Sequence, residues 1–347
     1  MPLTSADTAT NRTPATTPAS PGSLPGLVVA VAGAAIAIGV NLVLPGVSAM
    51  LVAILLGAVL ANVVAPQGRL FTTLRPGLAV ASRRLLRLGV VLLGLQLVLG
   101  DILALGWPVV VGVVVIVGGT MGITLLLGKV LKVGTTQTLL IAGGFSICGA
   151  AAVAGIDGVL AKRKDAEAAT AVALVVIFGT VMIALMPALA SLFGLDPHTA
   201  GVWTGASTHE VAQVVAAAGI IGPDALKVAV IVKLARVLML APVLAAVSIW
   251  QRRQGLEAGS KRPPLIPLFV AGFIAMVVLR SSGIVPTVIV DAAKVGQNWL
   301  LAAAMFALGT SVHWTVLKTS GKRPLLLATL ATVVVLVIGG GVAWLGR

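Results

Sequence analysis

Apolar residues run through this chain in blocks of about 20, separated by glycine, proline or short clusters of arginine and lysine. Runs of that length match the hydrocarbon thickness of a bilayer, so each block predicts a membrane-spanning helix. The pattern places full spans at about 24–44, 47–65, 85–99, 105–127, 166–193, 225–250, 265–279, 297–317 and 325–345. Pro45-Gly46 joins the first two as a tight hairpin connector. Two further stretches are apolar but interrupted. Residues 135–160, TTQTLLIAGGFSICGAAAVAGIDGVL, are broken by Gly143, Gly144, Gly149 and Gly155. Residues 201–219, GVWTGASTHEVAQVVAAAG, bring Ser207, Thr208, His209, Glu210 and Gln213 together between two long spans. The fold class expected is an all-α polytopic membrane protein with about 9 full spans and two broken or re-entrant segments (9–11 crossings). Residues 1–25, rich in Thr, Ala, Pro and Ser, read as a disordered tail, and 26–347 as a single transmembrane domain. The tail has no basic start and its apolar run begins late, so it is not read as a secretory signal.

Composition supports this reading. Hydrophobic side chains make up 59% of the chain and charged ones 10%, with a mean hydropathy of +1.12. The net charge of +14 points away from nucleic acid, because the basic residues are neither gathered on one domain nor interleaved with aromatics. They fall instead in clusters between spans, at 69–87, 129–132, 162–164, 252–262 and 318–323. Placing all five clusters in the cytoplasm accounts for most of the 24 Lys and Arg, as positive-inside sorting requires. The N-terminus is then cytoplasmic and the C-terminus outside, in a multi-pass protein of the cell inner (plasma) membrane. With clusters 129–132 and 162–164 on one side, the glycine-broken stretch between them must enter and leave on that side. By the same parity, 196–224 must enter and leave on the other. Irregular backbone at that depth has to be enclosed by protein.

Internal similarity fits the same arrangement. Residues 92–111 resemble 307–327, and GFSICGAAAVAGIDGVL with its following span resembles GASTHEVAQVVAAAG with its own. Under the topology above each matched pair runs in opposite directions, which is the mark of inverted repeats, here in rearranged order.

Polar residues inside spans are costly and mark functional sites. Ser207-x-x-Glu210 has the form of a capping box, with Ser207 as N-cap and Glu210 as N3. Ser146 and Ser207 are thus expected to start two half-helices whose free N–H groups and positive dipole ends face one anion. For Ser146 and Cys148 close packing of small residues is an equal reading. Lys233 lies about 12 Å into its span, counted from Ala225 at ~1.5 Å per residue, and Arg236 shares its face. Both are expected to serve the site or an ion pair with Glu210 rather than snorkel. His209 and Gln213 would share a helical face, His209 either carrying a proton or packing between helices. Arg83, Arg84 and Arg87 read as interfacial anchors, Asp101 as the close of the third span, and His198 and His313 form no constellation with His209. The candidate substrate-binding set is Ser146, Cys148, Ser207, Thr208, His209, Glu210, Gln213, Lys233 and Arg236. No HExxH, nucleophile elbow or paired carboxylates point to an enzyme, and nothing calls for a cofactor or metal.

The motifs GFSICGAAAVAG, RRLLRLGVVLLGLQL and TGASTHEVAQVVAAAG, followed by VKLARVLMLAP, resemble the YeiH-type sulfate exporter family, from about residue 24 to the C-terminus. This resemblance implies a bacterial inner-membrane transporter, related to the cation/proton antiporter and anion transporter superfamily, with broken helices at its substrate site. It implies a small anion (sulfate, sulfite or related) as substrate. Gln96 stands in the third span where a basic residue would strengthen the anion argument. The leading expectation is a secondary transporter of a small anion, with protons or sodium as coupling ion, the bilayer as surroundings and a homodimer left open. The alternatives are a proton- or sodium-coupled cation antiporter using Glu210, and a membrane protein that does not transport. The topology has a direct test: single cysteines replacing Lys164 and Gln254, each with Cys148→Ala, should label only from the cytoplasm. Labelling of Lys164→Cys from outside would mean that 143–155 crosses the bilayer completely.

Overall fold

The computed structural model describes residues 22–44, 47, 49–63, 68–160, 165–253, 268–310 and 321–346, and their regular structure is helical throughout. The tail to residue 21, the Pro45-Gly46 connector, the cluster Lys162–Lys164, residues 254–264 of the basic loop, and the segment with His313 and Lys318 lie outside the described residues.

Five helices are long and apolar enough to cross a membrane: α1 (Leu24–Val43), α6 (Trp107–Val130), α9 (Asp165–Leu192), the pair α12 (Pro223–Leu238) and α13 (Leu240–Arg253), and α16 (Lys322–Leu345). The rest are shorter or interrupted: α2 (Ala49–Val63), α3 (Arg69–Val80), α4 (Leu86–Leu93), α5 (Leu99–Ala104), α7 (Thr135–Ser146), α8 (Ala150–Val159), α10 (Pro197–Ser207), α11 (Val211–Ile221), α14 (Leu268–Ser281) and α15 (Thr287–Gly309). They pack as two groups. One gathers α1, α2, α3 and α4 around α15, with α14 packed against α4; the other gathers α6 to α12 with α16. Contacts between the groups are few, and α4 against α8 is one of them.

Lipid tails are as apolar as leucine, so helices in a bilayer associate through close packing. Glycines supply it here. Gly57 on α2 and Gly309 on α15 each face the other helix's backbone, the carbonyls of Phe306 and Ile54 lying where their Cβ atoms would be. Gly26 on α1 and Gly77 on α3 do the same, against Leu74 and Ser23.

The re-entrant expectation is met by the packing register. Gly143 and Gly144 of α7 lie against Ile156 and Val153 of α8, so the two helices fold back on one another. Gly134 lies beside Glu167 and Gly144 beside Val175, so α7 runs parallel to α9 and starts at the same level. In the second unit Gly201 lies against Ala225 and Gly205 against Ala229, which sets α10 parallel to α12. Because α11 runs into α12 through Gly222 alone, α11 leaves on the side where α10 entered. Each unit is thus a helical hairpin followed by a long helix. The other matched pair, α6 and α16, is antiparallel: Val109, Gly112 and Gly119 meet Gly346, Val342 and Ile338 in turn.

Three boundaries differ from expectation. The basic stretch 69–87 is not a loop; helix begins at Arg69 and continues through a π turn (Ala81–Leu85) and α4 to a 3-10 turn at Gly94–Gln96. Phe71, Leu74 and Leu78 are buried while Arg75 is exposed, so this helix is amphipathic and average hydropathy hides it. Asp101 lies in α5 rather than closing the span, because the chain turns extended at Leu97 and Val98. The span expected at 297–317 begins at Thr287, since Asp291, Lys294 and Gln297 dilute its hydropathy.

The glycine contacts give a test with an internal control. Gly57→Leu should cost about 1–3 kcal/mol by overpacking against α15, although leucine favours helix more than glycine does. Gly39→Leu on α1, where a Cβ meets nothing within 4 Å, should be neutral or mildly stabilising. Thermal unfolding in detergent reads the difference; equal midpoints for the two variants would refute backbone-close packing at Gly57.

Candidate functional site

The tips of the two hairpins meet. At the first, α7 ends at Ser146, Ile147–Gly149 turn, and α8 begins at Ala150. Gly149 has φ +80, a left-handed conformation that glycine adopts without strain, and a Cβ there would come 2.5 Å from Cγ of Glu210. At the second, α10 ends at Ser207, the chain extends through Thr208 and Glu210, and α11 begins at Val211. Ser146 and Ser207 therefore end helices; they do not start them. The capping box is displaced by three residues, with Glu210 as N-cap and Gln213 as N3, the Glu210 N–H donating to Gln213 Oε1 at 3.2 Å. The physical reason lies upstream. Asp196 caps α10 through the Thr199 N–H at 3.0 Å, with Pro197 at the first helical position, so residues up to Ser207 are already helical. His209 consequently stands in the break and shares no helical face with Gln213.

The last carbonyls of a helix have no intrahelical partner. Here two hairpin arms end together, and Lys233 and Arg236 take up their carbonyls. Arg236 donates from Nε to Ser146 O (3.2 Å), from Nη2 to Phe145 O (3.1 Å) and Ser146 O (2.8 Å), and from Nη1 to the carbonyls of Gly205 (3.1 Å), Ala206 and Thr208 (3.2 Å). Lys233 Nζ donates to Ile147 O at 2.9 Å and Thr208 O at 2.8 Å. Both side chains have no exposed surface. The expected shared face is thus observed, and it is turned to carbonyl oxygens rather than to Glu210. Positive charge at a helix C-terminus is also favourable to its dipole.

The opposite poles meet at Glu210. Its Oε1 accepts the Ala150 N–H, the first of α8, at 3.0 Å, while the same residue caps α11. One carboxyl group therefore serves the N-termini of both returning arms. Gln213, which completes the cap, also donates from Nε2 to Val176 O of α9 at 3.4 Å, and Gly179 leaves the room its side chain fills.

The remaining expected residues divide. Thr208 lies between the poles, its carbonyl shared by Lys233 and Arg236 and its buried hydroxyl without a hydrogen-bond partner. Cys148 is buried in the first break. His209 is turned toward α16: its Nε2 lies 3.3 Å from Thr332 Oγ1 and its ring 4.5 Å from that of Phe145. Ser207 Oγ reaches Val335 O on the same helix at 3.4 Å, and Ser146 Oγ donates to Gly143 O, at 3.5 Å. Gln96 stands apart from the hairpin tips, hydrogen-bonded to Gln297 of α15. Two participants carried no signal in the sequence: Ala150, which acts through backbone alone, and Thr332, one threonine in an apolar span; Gly149 was visible as a helix breaker, but not that its missing Cβ admits Glu210.

The family model described as Conserved hypothetical protein 698 matches residues 24–328. The chain belongs to that family. It is similar to a UPF0324 membrane protein of Corynebacterium glutamicum, 51% identical over 312 residues, covering 90% of this chain and 89% of the relative. A UPF0324 membrane protein of Pseudomonas aeruginosa is 40% identical over 335 residues, covering 92% of each chain. The UPF0324 inner membrane protein YeiH of Escherichia coli is 39% identical over 300 residues, covering 85% of each. No solved structure matches. The expected kinship with YeiH-type proteins is therefore shown, and the chain is a multi-pass membrane protein.

Arg236 offers the sharpest test of how the tips are held. Arg236→Ala strands carbonyls of both hairpins in a water-poor interior and should cost at least about 3 kcal/mol, the range for removing one partner of a buried charged network. Arg236→Lys, with fewer donors, should lie between alanine and the native residue. Thermal unfolding in detergent measures both; an alanine variant as stable as the native protein would show that the carbonyls find other partners.

Proposed function

We propose that the protein is a secondary transporter of a small oxyanion, sulfate, sulfite or a related species, and that the Glu210 carboxylate occupies the anion's place between transport events. The observation that carries this reading is the convergence of the α8 and α11 N-termini on one carboxyl group. Helix N-termini with free N–H groups hold phosphate- and sulfate-like anions, and a carboxylate is the same kind of ligand on a tether. Two positive helix ends, with Lys233 and Arg236 on the far side of the tips, make a field that favours an anion and opposes a cation. This tells against the reading of Glu210 as a sodium ligand. The unpartnered hydroxyl of Thr208 offers a hydrogen bond beside the same place.

In this scheme a proton that neutralises Glu210 weakens its hold on the Ala150 N–H, and the incoming anion takes up the freed donors. Release of the proton returns the carboxylate and expels the anion. Anion and proton movements are then linked at one residue. The two packed groups, with few contacts between them, supply the parts whose relative movement exposes the tips to either side.

Reconstituted protein in proteoliposomes tests this. Sulfate or sulfite flux should depend on the proton gradient in the native protein. Glu210→Gln should keep anion binding, or tighten it, and lose that dependence. Flux driven by sodium or proton gradients with no anion requirement would sink the anion reading and favour the cation antiporter.

A further inference from the structure

A cleft of about 450 Å³ opens between the two helix groups, walled by α3, the π turn and α4 on one side and by α8 and the start of α9 on the other. Among the described residues, three arginines line it, Arg75, Arg83 and Arg87, with one acidic residue, Asp157 of α8. All three arginines have substantial exposed surface. The π turn at Ala81–Leu85 is what brings them to one wall. A π turn takes in about one more residue than the α turn it replaces, so Arg87 falls roughly 20° from Arg75 around the helix axis, instead of about 120° in an uninterrupted α-helix. Arg87 spans the cleft: its guanidinium lies over the Phe269 ring of α14, in its own group, at 5.6 Å from the centroid, while on the other side Nη2 would be 3.2 Å from a Cβ at Gly158 of α8. Hydroxyls of Thr72, Ser82 and Thr310 share the lining. The inner wall includes Ala151, the residue after the one whose N–H holds Glu210.

We propose that this cleft is a second anion site, in which Arg75, Arg83 and Arg87 receive a free oxyanion of the sulfate or phosphate type beside the hairpin tips. It rests on the anion reading of the Glu210 site, but its chemistry is separate. Guanidinium groups match the planar pairs of oxygens on such anions and stay charged at any physiological pH. A cleft with an excess of positive charge concentrates anions. In this proposal Arg83 and Arg87, expected as interfacial anchors, also hold a ligand.

Charge-selective labelling tests it without relying on transport. Ser82→Cys places a thiol in the cleft; it is made together with Cys148→Ala, and the protein is held in nanodiscs of zwitterionic lipid. A sulfonate-bearing methanethiosulfonate should react at least about tenfold faster than its trimethylammonium counterpart, the lower end of what a focused field gives. Sodium sulfate should slow the sulfonate reagent more than sodium chloride of equal ionic strength. Adding Arg83→Gln and Arg87→Gln should bring the rate ratio near one and remove the sulfate protection, while Arg83→Lys with Arg87→Lys should keep the preference. Equal rates for the two reagents, or protection by sulfate no better than by chloride, would overturn the site. Protection that appears only when phosphatidylglycerol is included would assign the cleft to a lipid headgroup and overturn the free-anion proposal. Sulfate protection without anion flux in proteoliposomes would uphold the cleft and sink the transport reading; flux without protection would do the reverse.

Discussion

A backbone carbonyl or N–H left unpaired inside a bilayer has no water to turn to, and each such group costs several kcal/mol. Two hairpins whose arms stop inside the helix bundle create many of these groups at once. The structure resolves the cost by sorting. Both entering arms, α7 and α10, present carbonyls to Lys233 and Arg236. Both returning arms, α8 and α11, present N–H groups to Glu210. The rest of the second helix group follows from keeping these three side chains enclosed: α9 packs along the first hairpin, α12 along the second, and α16 closes over Ser207 and His209.

The two poles differ in what can replace them. The carbonyl pole is held by two side chains making eight hydrogen bonds in fixed geometry, which suits a permanent joint. The N–H pole is held by one carboxyl group entering through the gap left by Gly149, and a free anion can imitate it. In the proposed transport scheme, exchange therefore belongs to the Glu210 side. The arginine cleft runs along α8 and includes Ala151 at its start.

Much of this was legible in the sequence. Span positions follow from hydropathy because the bilayer sets a length that few other constraints set. The broken segments were visible as glycine and polar residues inside apolar runs, and their re-entry followed from the parity of basic clusters. Orientation within the breaks was not legible. Ser207 and Glu210 match the capping-box spacing, but Glu210 and Gln213 match it as well, and the choice depends on where α10 begins and on α16 accepting the Ser207 hydroxyl. The roles of Lys233 and Arg236 were hidden for a related reason: their partners are backbone carbonyls 25 to 91 positions away, which no side-chain motif announces. The helix at 69–87 was read as loop because its arginines lower the average hydropathy while its buried face remains apolar. A π turn leaves no pattern in composition at all, so the alignment of Arg75 with Arg87 could be seen only in the fold.

The order of the chain matters for how α12 enters the membrane. A lysine or arginine at the centre of an inserting helix costs about 2.5–3.5 kcal/mol on insertion scales, and α12 carries one of each within a single turn. The groups that solvate them, the ends of α7 and α10, both lie earlier in the sequence. During synthesis the acceptors are therefore in the membrane before the two cations emerge. A circular permutant that moved α12 ahead of the hairpins would keep every native contact yet ask the insertion machinery to admit two charges with nothing waiting to receive them.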